Sequence, residues 1–406
     1  MRAAFFTPYL PYPPDTGGKI RSYHLARALA TRLEVDLYTV FYGEGPAQAE
    51  VVAVQQFCHR VVLLRLNKSW HPLARMRRAL LPLPRSVDYF CTVNSLQQAS
   101  GHLATGGYDL VIADEISMTP YAELAPQLPR IVLRQKVDHI HYQEMARSRP
   151  WGLDKALDSL EASKLLRYER AKMPLYQAFV ACSDYDAMII GQDAPNATPI
   201  VVPNGTDLST FVPSGHLKAK HPTLLYVGAM HYYPNADAVR FFFETMYERI
   251  RQAVPAVAVQ VVGRDPPPDI QELARLPGVE VTGSVADVRP YYEEATVFIV
   301  PLRLGGGTRL KIIEAMAMGL PVLSTSVGAE GLSAQPGEDI LIADDPLSFG
   351  EGVLRLLTDA ELRERIAKNG QRLVRHYDWS ELAGPFVELA ETVIEQWRRR
   401  ECVSSG

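Results

Sequence analysis

Hydrophobic residues in this chain occur as short continuous runs that alternate with longer stretches in which they recur every three or four positions. The short runs, rich in β-branched residues, predict buried parallel strands, and the longer recurrence predicts amphipathic helices. In the first half the predicted helices include Ile20–Thr31 and Leu157–Lys172. The predicted strands there are Ala3–Phe6, Val35–Val40, Val61–Leu64, Leu110–Ala113, Ile131–Leu133 and Ala178–Ala181. This alternation favours a parallel sheet with helices on both faces.

A second series of the same kind begins at Thr223, with predicted helices that include Ala236–Gln252 and Pro346–Leu357. Its predicted strands are Leu224–Val227, Ala258–Val262, Val279–Thr282, Val297–Val300, Val322–Ser324 and Ile340–Ile342. Since both series follow the same order of elements, the fold class expected for each half is a doubly wound, Rossmann-like α/β domain.

The stretch between the two series is rich in turn-forming residues. It reads Val-Pro-Asn-Gly-Thr-Asp at positions 202–207 and predicts a hinge. We therefore expect an N-terminal domain at 1–203 and a C-terminal domain at 204–378, with a last helix at 379–400 that packs back against the first domain. Open parallel sheets bind ligands beyond the carboxyl ends of their strands, so a cleft between the facing domains is the expected site.

Composition and charge narrow the functional classes. The 406 residues carry a formal net charge of −4, which argues against a polyanion-binding protein, so no nucleic-acid partner is expected. No apolar run reaches the roughly 18 residues of a membrane-spanning helix, and the N-terminus reads as a first strand. The four cysteines are far apart and form no metal-ligand pattern, as in a reduced, cytoplasmic protein.

The clearest candidate chemistry lies at 305–314, Gly-Gly-Gly-Thr-Arg-Leu-Lys-Ile-Ile-Glu, between a predicted strand and an amphipathic helix. Glycines let backbone N–H groups approach a ligand, and a helix start favours an anion. Thr308 is the expected N-cap, and Arg309 and Lys311 add positive charge. Lys311 and Glu314 share a helix face, which suits a phosphate beside hydroxyl groups. The alternative is a solvated ion pair at an ordinary helix start.

Four stretches of the chain carry motifs that occur in a defined order. The first is 13–21, Pro-Pro-Asp-Thr-Gly-Gly-Lys-Ile-Arg, and the second is the linker at 202–207. The third is Tyr-Val-Gly at 226–228, followed by Pro-Asn at 234–235. The fourth is 305–322, which ends Glu-Ala-Met-Ala-Met-Gly-Leu-Pro-Val. Together, in this order, they resemble the GT-B glycosyltransferases of the retaining, family-four (group 1) type, and the resemblance implies the GT-B fold, in which two Rossmann-like domains face each other.

The resemblance also implies a reaction. A sugar moves from a nucleoside diphosphate donor, with UDP or GDP expected, to an acceptor, and the anomeric configuration is retained. The acceptor is a glycan, a lipid or a small metabolite, and no metal and no cofactor are implied. The donor is expected on the C-terminal domain and the acceptor on the N-terminal domain.

Individual roles follow from the resemblance. Arg309 and Lys311 correspond to the catalytic cations that hold the diphosphate, and Glu314 to the carboxylate that holds the ribose. The remaining donor contacts are implied for Gly17, Gly18, Gly228, His231, Gly283, Ser284, Val285, Gly306, Gly307 and Thr308.

The chain departs from the family pattern at three places. Gly306 stands where the family often has a glutamate, eight positions before Glu314. The histidine that often follows the strand at 131–133 is replaced by Gln135 or Lys136, depending on the alignment. Asp138 or His139 is then expected to supply that contact, and the alternative for His139 and His141 is a polar helix start. The Arg and Lys that the family usually has after the strand at 224–227 are also missing. His231 and Asn235 are then the candidates for contacts with the donor, the alternative for Asn235 being a helix cap.

Weaker signals leave further alternatives. Residues 70–85 mix basic and apolar side chains, which suits a peripheral contact with the inner face of a membrane, the alternative being a solvated surface. Two acidic pairs, Asp114-Glu115 and Asp344-Asp345, fit loops and helix starts better than a metal site. A nucleotide-sugar epimerase and a non-catalytic sugar-nucleotide-binding subunit are the competing functions.

Overall fold

The computed structural model describes residues 1–67, 81–149, 151–214, 221–305 and 309–404. The chain divides into two compact units, Met1–Pro203 together with the chain from Ala383 onward, and Asn204–Leu382. The predicted donor contacts Gly306, Gly307 and Thr308 lie outside the described residues, as do residues 70–80 of the basic segment.

The first unit contains a seven-stranded parallel sheet in the order β3-β2-β1-β4-β5-β6-β7. Ala3 on β1 lies opposite Val35 on β2 and Leu110 on β4. Its strands are β1 (Arg2–Thr7), β2 (Glu34–Phe41), β3 (Arg60–Arg65), β4 (Leu110–Asp114), β5 (Arg130–Leu133), β6 (Ala178–Ala181) and β7 (Thr198–Val201). The sequence missed β7 because this edge strand contains Pro199 and is half-exposed, so it lacks a continuous buried run.

The second unit contains a six-stranded parallel sheet in the order β10-β9-β8-β11-β12-β13. Its strands are β8 (Thr223–Val227), β9 (Ala258–Val262), β10 (Val279–Gly283), β11 (Val297–Val300), β12 (Val322–Ser324) and β13 (Leu341–Ile342). All six were expected from the sequence. The prediction of two parallel α/β sheets is therefore confirmed.

Helices connect the strands within both units. In the first unit they are α1 (Gly17–Leu29), α2 (Gln48–Gln55), α3 (Arg85–Tyr89), α4 (Val93–Thr105), α5 (Thr119–Ala122), α6 (Asp138–Ser148), α7 (Leu153–Lys172) and α8 (Asp184–Asp193). In the second they are α9 (Tyr233–Thr245), α10 (Tyr247–Ala253), α11 (Pro268–Glu272), α12 (Arg289–Glu294), α13 (Leu310–Ala317), α14 (Pro346–Thr358), α15 (Ala360–Leu373) and α16 (Trp379–Leu382). The final helix, α17 (Gly384–Ser404), returns to the first unit.

Two predicted helices are interrupted. The helix expected at 236–252 is two helices that break at Met246, whose φ of −126° departs from helical geometry. The helix expected at 379–400 breaks at Ala383, because Pro385 lacks an N–H group and fits only the first turn of a new helix. None of the helices described here is both long and apolar enough to cross a bilayer.

Each sheet has its own hydrophobic core. Fully buried side chains from neighbouring strands fill the first core, among them Ala4, Val111, Val132 and Phe179. The second core is built in the same way, with Leu224, Val261, Phe298 and Val322 fully buried or nearly so. Strands covered by helices on both faces need apolar residues at successive positions, which is why their continuous runs were visible in the sequence.

Candidate functional site

Three adjacent strands of the second unit, β8, β9 and β10, each run into a glycine at their carboxyl end. The N–H of Gly228 donates to the carbonyl of Val262 (2.9 Å), and that of Gly263 donates to the carbonyl of Gly283 (3.2 Å). A Cβ on Gly263 would lie 1.8 Å from the Gly228 carbonyl oxygen, so no side chain fits there. The result is a stretch of bare backbone at the sheet edge where such folds bind ligands. Gly263 was not singled out from the sequence.

Lys311 lies beside this edge, in the first turn of α13, and its ammonium group is held by neutral groups. Its Nζ donates to Oδ1 of Asn235 (2.8 Å) and to the hydroxyl of Tyr226 (3.2 Å). The same Nζ lies 4.5 Å from the centre of the Tyr226 ring. A Cβ on Gly228 would lie 2.7 Å from Nζ, so only glycine leaves the ammonium group this position. We call Lys311, Asn235, Tyr226 and Gly228 the Lys311 cluster.

The Lys311 cluster perturbs the charge of the lysine. Burial, and then the nearby positive charge of Arg309, together lower the pKa of Lys311 to about 7, although the negative charge of Glu314 opposes them. Loss of solvation disfavours an ammonium ion, and the neutral partners do not restore its charge. Near neutral pH, therefore, the unliganded lysine is poised between its charged and uncharged forms.

Asn235 is a structural partner of this lysine and not a helix cap. It lies inside α9, whose N-cap position is Tyr232. Its Oδ1 accepts hydrogen bonds from Tyr226 and Lys311, and its Nδ2 donates to the carbonyl of Ala229 (2.9 Å). The side chain thus connects the loop after β8 to the ammonium group.

Glu314 lies one helical turn after Lys311 and has a separate partner. The hydroxyl of Tyr292 donates to Oε2 of Glu314 (3.0 Å), and Tyr292 is itself fully buried against Phe298 and Phe211. Burial raises the pKa of Glu314, although Tyr292 and Lys311 oppose the rise. Because Lys311 and Glu314 each have their own neutral partner, the site is more than a solvated ion pair at a helix start.

Arg309 occupies the N-cap position of α13, one residue later than the cap expected from the sequence. Gly305 has a φ of +106°, which favours glycine, and a Cβ there would lie 3.0 Å from Nη2 of Arg309. The positive charge of Arg309 lowers the pKa of Lys311 and opposes the rise in the pKa of Tyr226 caused by burial. Arg309 and Lys311 therefore belong to one electrostatic site.

The other predicted donor contacts in the second unit flank this edge. His231 follows β8, and its Nδ1 lies 3.2 Å from Oδ2 of Asp265 in the loop after β9. Gly283 has a φ of +69° and no heavy atom near the position of a Cβ, Ser284 is exposed, and Val285 packs against the core. The loops after β8, β9 and β10 therefore bring these residues to the same edge as the glycines.

In the first unit, the glycine pair opens α1 next to Gln135. The carbonyl of Gly18 accepts hydrogen bonds from Oγ of Ser22 (2.8 Å) and Nε2 of Gln135 (3.5 Å). A Cβ on Gly18 would lie 3.0 Å from Oε1 of Gln135, whereas Lys136 is exposed. Of the two residues aligned with the family's histidine, Gln135 is the one beside Gly17 and Gly18.

Asp138 and His139, predicted as catalytic residues, are joined in a buried charge network. Nη2 of the fully buried Arg134 donates to Asp138 (3.0 Å) and to Glu169 (2.9 Å), and Nδ1 of His139 lies 2.6 Å from Glu169. Burial raises the pKa of Asp138 above its ordinary value. Burial acts on Glu169 in the same direction, but its contacts with Arg134 and His139 outweigh burial and lower the pKa of Glu169 below its ordinary value. These pairings within the protein favour the structural alternative for both residues.

Asp345 of the second acidic pair and Arg85 of the basic segment each have a local partner. Asp345 caps α14 by accepting from the N–H groups of Leu347 and Ser348, as expected of a helix-start acid. Arg85, at the described end of the basic segment, pairs with Glu161 (3.3 Å). Within the part of the chain that the structure describes, no three His, Cys, Asp or Glu side chains are grouped as metal ligands would be.

Comparison with known proteins finds a family match within the second unit. Residues 221–359 match the family described as Glycosyl transferases group 1. The phosphatidyl-myo-inositol mannosyltransferase of Mycobacterium tuberculosis is 25% identical over 221 residues, which cover 50% of this chain and 55% of that protein. The chain thus spans about half the length of the curated relatives it matches.

Solved structures match nearly the whole chain. Sucrose-phosphate synthase from Thermosynechococcus elongatus superposes with a TM-score of 0.72 at 18% identity, covering 98% of this chain and all of that one. HepE from Anabaena, solved in complex with UDP, gives a TM-score of 0.65 at 14% identity over 97% of this chain and all of that one. These likenesses concern the fold of the chain.

Proposed function

Since this chain has the GT-B fold and carries a group 1 glycosyltransferase domain, as its motifs predicted, we propose that it transfers a sugar from a nucleoside diphosphate to an acceptor with retention of configuration. The observation that carries the proposal is the pairing of Lys311 and Glu314, one helical turn apart, beside the glycine-ended edge of the second sheet. Cations and bare backbone suit a diphosphate, and a carboxylate suits a ribose.

In this proposal each group of the second unit has a defined task. Arg309 and Lys311 bind the diphosphate, and the glycines that end β8 and β10 let backbone groups approach the nucleotide. Glu314 accepts hydrogen bonds from the ribose hydroxyls, oriented by Tyr292 behind it. The structure of HepE with UDP supports a nucleotide-sugar donor for chains of this fold.

The same groups would act on the transition state. Breaking the bond between the sugar and the phosphate places negative charge on the leaving diphosphate, which fixed cations stabilise. Two charge-assisted hydrogen bonds, from Arg309 and Lys311, contribute about 3–6 kcal/mol at 1.5–3 kcal/mol each. Enzymes lower barriers by about 8–23 kcal/mol, so positioning of the two substrates supplies much of the rest. These two cations take the place of a divalent metal ion in the proposal.

No observation favours the epimerase or the non-catalytic subunit over this function. Arg309, Lys311 and Glu314 are all present and lie together around the start of α13. The first unit has its own glycine-opened helix, which begins at Gly17 after β1, and we assign the acceptor to this unit.

Binding of UDP, GDP and inorganic pyrophosphate, measured by calorimetry, tests the proposal. Glu314→Gln should weaken the binding of the preferred nucleoside diphosphate roughly tenfold, because the charge-assisted bonds to the ribose are lost. It should change pyrophosphate binding far less, since pyrophosphate has no ribose and Glu314 acts on it only through the charge of Lys311. Lys311→Met should weaken both ligands.

The exposed pair of Glu364 and Lys368 on α15 supplies matched controls. Glu364→Gln and Lys368→Met change charge in the same unit and should leave all three affinities as in the wild type. If neither UDP nor GDP binds the wild type, or if Glu314→Gln binds them as tightly, the proposed function is wrong.

A further inference from the structure

Glu115 has a backbone conformation that glycine adopts easily and other residues rarely do. It follows the last residue of β4, with a φ of 80° and a ψ of 158°. Among the described residues, only Asp265 is another non-glycine with positive φ. The N–H of Glu115 donates to the carbonyl of Leu133 on β5 (2.9 Å), so the sheet itself holds the strained conformation. Strain of this kind concentrates at functional sites.

The side chain of Glu115 is also in an unfavourable place. Its Oε2 is enclosed by protein and has no hydrogen-bond partner among the described residues. Burial and the neighbouring carboxylates of Asp138 and Asp114 raise the pKa of Glu115 to about 8, although Lys136 and Arg134 oppose the rise. The carboxyl group is therefore mostly uncharged near neutral pH and has an O–H to donate.

The charged and titratable groups around Glu115 come from each neighbouring element. Asp114 precedes it on β4, and the hydroxyl of Ser22 on α1 donates to that carboxylate. Arg134 and Lys136 follow β5, Asp138 begins α6, and Cys182 follows β6. Arg134 is already engaged by Asp138 and Glu169, so it does not neutralise Glu115 by direct pairing.

Glu115 also lies at the sheet edge where a ligand of the first unit is expected. The strands β1, β4 and β5 are adjacent in the sheet. The loop after β1 leads to Gly18, β4 ends at the Asp114-Glu115 pair, and Gln135 follows β5. Gln135 contacts Gly18, which connects the ends of the outer two of these strands. Open α/β sheets bind ligands beyond this edge.

We propose that Glu115 contacts the acceptor substrate directly and that the group it binds is a hydroxyl of a polyhydroxylated ring, a sugar or a cyclitol. The proposal rests on the proposed function, because it assigns the donor to the second unit. A hydroxyl both donates and accepts, as an uncharged carboxyl group does, so the two satisfy each other. A phosphate is a poorer fit at this point, because the carboxylates of Asp114 and Asp138 lie near Glu115, although Lys136 and Arg134 partly offset their charge.

The test compares Glu115→Gly and Glu115→Gln with the wild-type full-length protein. The probes are D-glucose, D-mannose and myo-inositol, and their binding is followed by saturation-transfer NMR beside thermal unfolding and UDP or GDP binding. Glu115→Gly should raise the Tm, because glycine relieves the strained φ and removes the unpartnered carboxyl group. It should also weaken binding of the best probe at least tenfold while leaving nucleoside diphosphate binding unchanged.

Glu115→Gln keeps one donor and one acceptor, so it should bind the best probe within about threefold of the wild type. Binding by the wild type should change as the pH rises through about 8, where Glu115 ionises, whereas Glu115→Gln should show no such change. Glu34→Gln, an exposed change at the start of β2, should match the wild type throughout.

Two results overturn the inference: a wild type that binds none of the probes, or a Glu115→Gly protein that binds them as tightly as the wild type. A Glu115→Gly protein with a lower Tm would refute the claim of strain. Failure of the proposed function is distinct from these outcomes, because it appears as a loss of UDP and GDP binding in the wild type itself.

Discussion

The protonation of Lys311 should make nucleotide binding depend on pH in the neutral range. Burial lowers the pKa of Lys311 to about 7 in the unliganded protein, far below its ordinary 10.5. A bound diphosphate places negative charge beside Nζ and raises that pKa again. Binding must therefore be accompanied by proton uptake at any pH where the free lysine is partly uncharged.

The size of the effect follows from the pKa difference between the free and bound forms. Each pH unit above the free pKa costs about 1.36 kcal/mol, or a factor of about ten in Kd, until the pKa of the complex is reached. Between about pH 6 and pH 9, the affinity for UDP or GDP should therefore fall about 100-fold, close to 2.7 kcal/mol. A surface lysine with an ordinary pKa would leave the affinity flat over this range.

Calorimetry in buffers of different ionisation enthalpy measures the proton uptake directly. We expect about half a proton per nucleotide at pH 7, where Lys311 is half-charged, and nearly one at about pH 9. Lys311→Met should bind more weakly at low pH and lose this uptake, while Lys368→Met should behave as the wild type. A wild type with no proton uptake and with an affinity that does not change with pH would refute the reasoning.

Stability should change with pH in the opposite direction. A lysine whose pKa is lowered by folding binds fewer protons in the native state than in the unfolded state over the range between about 7 and 10.5. Its contribution to the free energy of unfolding therefore rises with pH across that window. The unliganded protein should gain stability from Lys311 over the range in which it loses affinity for the nucleotide.

Two further predictions test the packing behind each site. Gly228→Ala places a Cβ 2.7 Å from Nζ of Lys311, so the ammonium group must move. Calorimetry should show UDP or GDP binding weakened at least tenfold, while α9 and α13 still fold. An unchanged affinity would contradict the role given to the Lys311 cluster. Arg134→Met removes the cation shared by the buried carboxylates of Asp138 and Glu169, leaving Glu169 with His139 alone, and should cost about 3–5 kcal/mol in urea unfolding. A loss below about 1 kcal/mol would show that these charges are solvated.

Most strands were predictable because they contain short apolar runs, and some, such as β4 and β11, are buried at every position. The exception, β7, lies at an edge where Pro199 and two exposed positions hide the pattern. The break in the last helix was readable in principle, since Pro385 fits only a first turn. Breaks such as Met246, by contrast, depend on packing that the sequence does not display.

The candidate site was predictable only as far as local sequence reaches. Arg309, Lys311 and Glu314 are within six positions of one another, so a helix start and a charge pattern identify them. Their partners are distant in sequence: Tyr226 is 85 positions from Lys311, and Tyr292 is 22 from Glu314. The positive φ of Glu115 could not be predicted, because no residue pattern in the sequence indicates it.

The partners of a buried charge distinguish its role in this molecule. In the first unit, Asp138 and His139 belong to a network in which Arg134 and Glu169 provide opposite charges, so the network is satisfied without a ligand. Such a network suits structure better than catalysis.

In the second unit, Lys311 is held by the amide of Asn235 and the hydroxyl of Tyr226, and Glu314 by the hydroxyl of Tyr292. Neutral partners fix the direction of a charged group but leave most of its charge uncompensated, and burial moves both pKa values toward the neutral forms. A diphosphate that restores the charge of Lys311 gains an interaction that no residue already satisfies. The contrast between paired and neutrally held charges therefore supports the proposal that Lys311 and Glu314 bind a ligand, and it favours a structural role for Asp138 and His139.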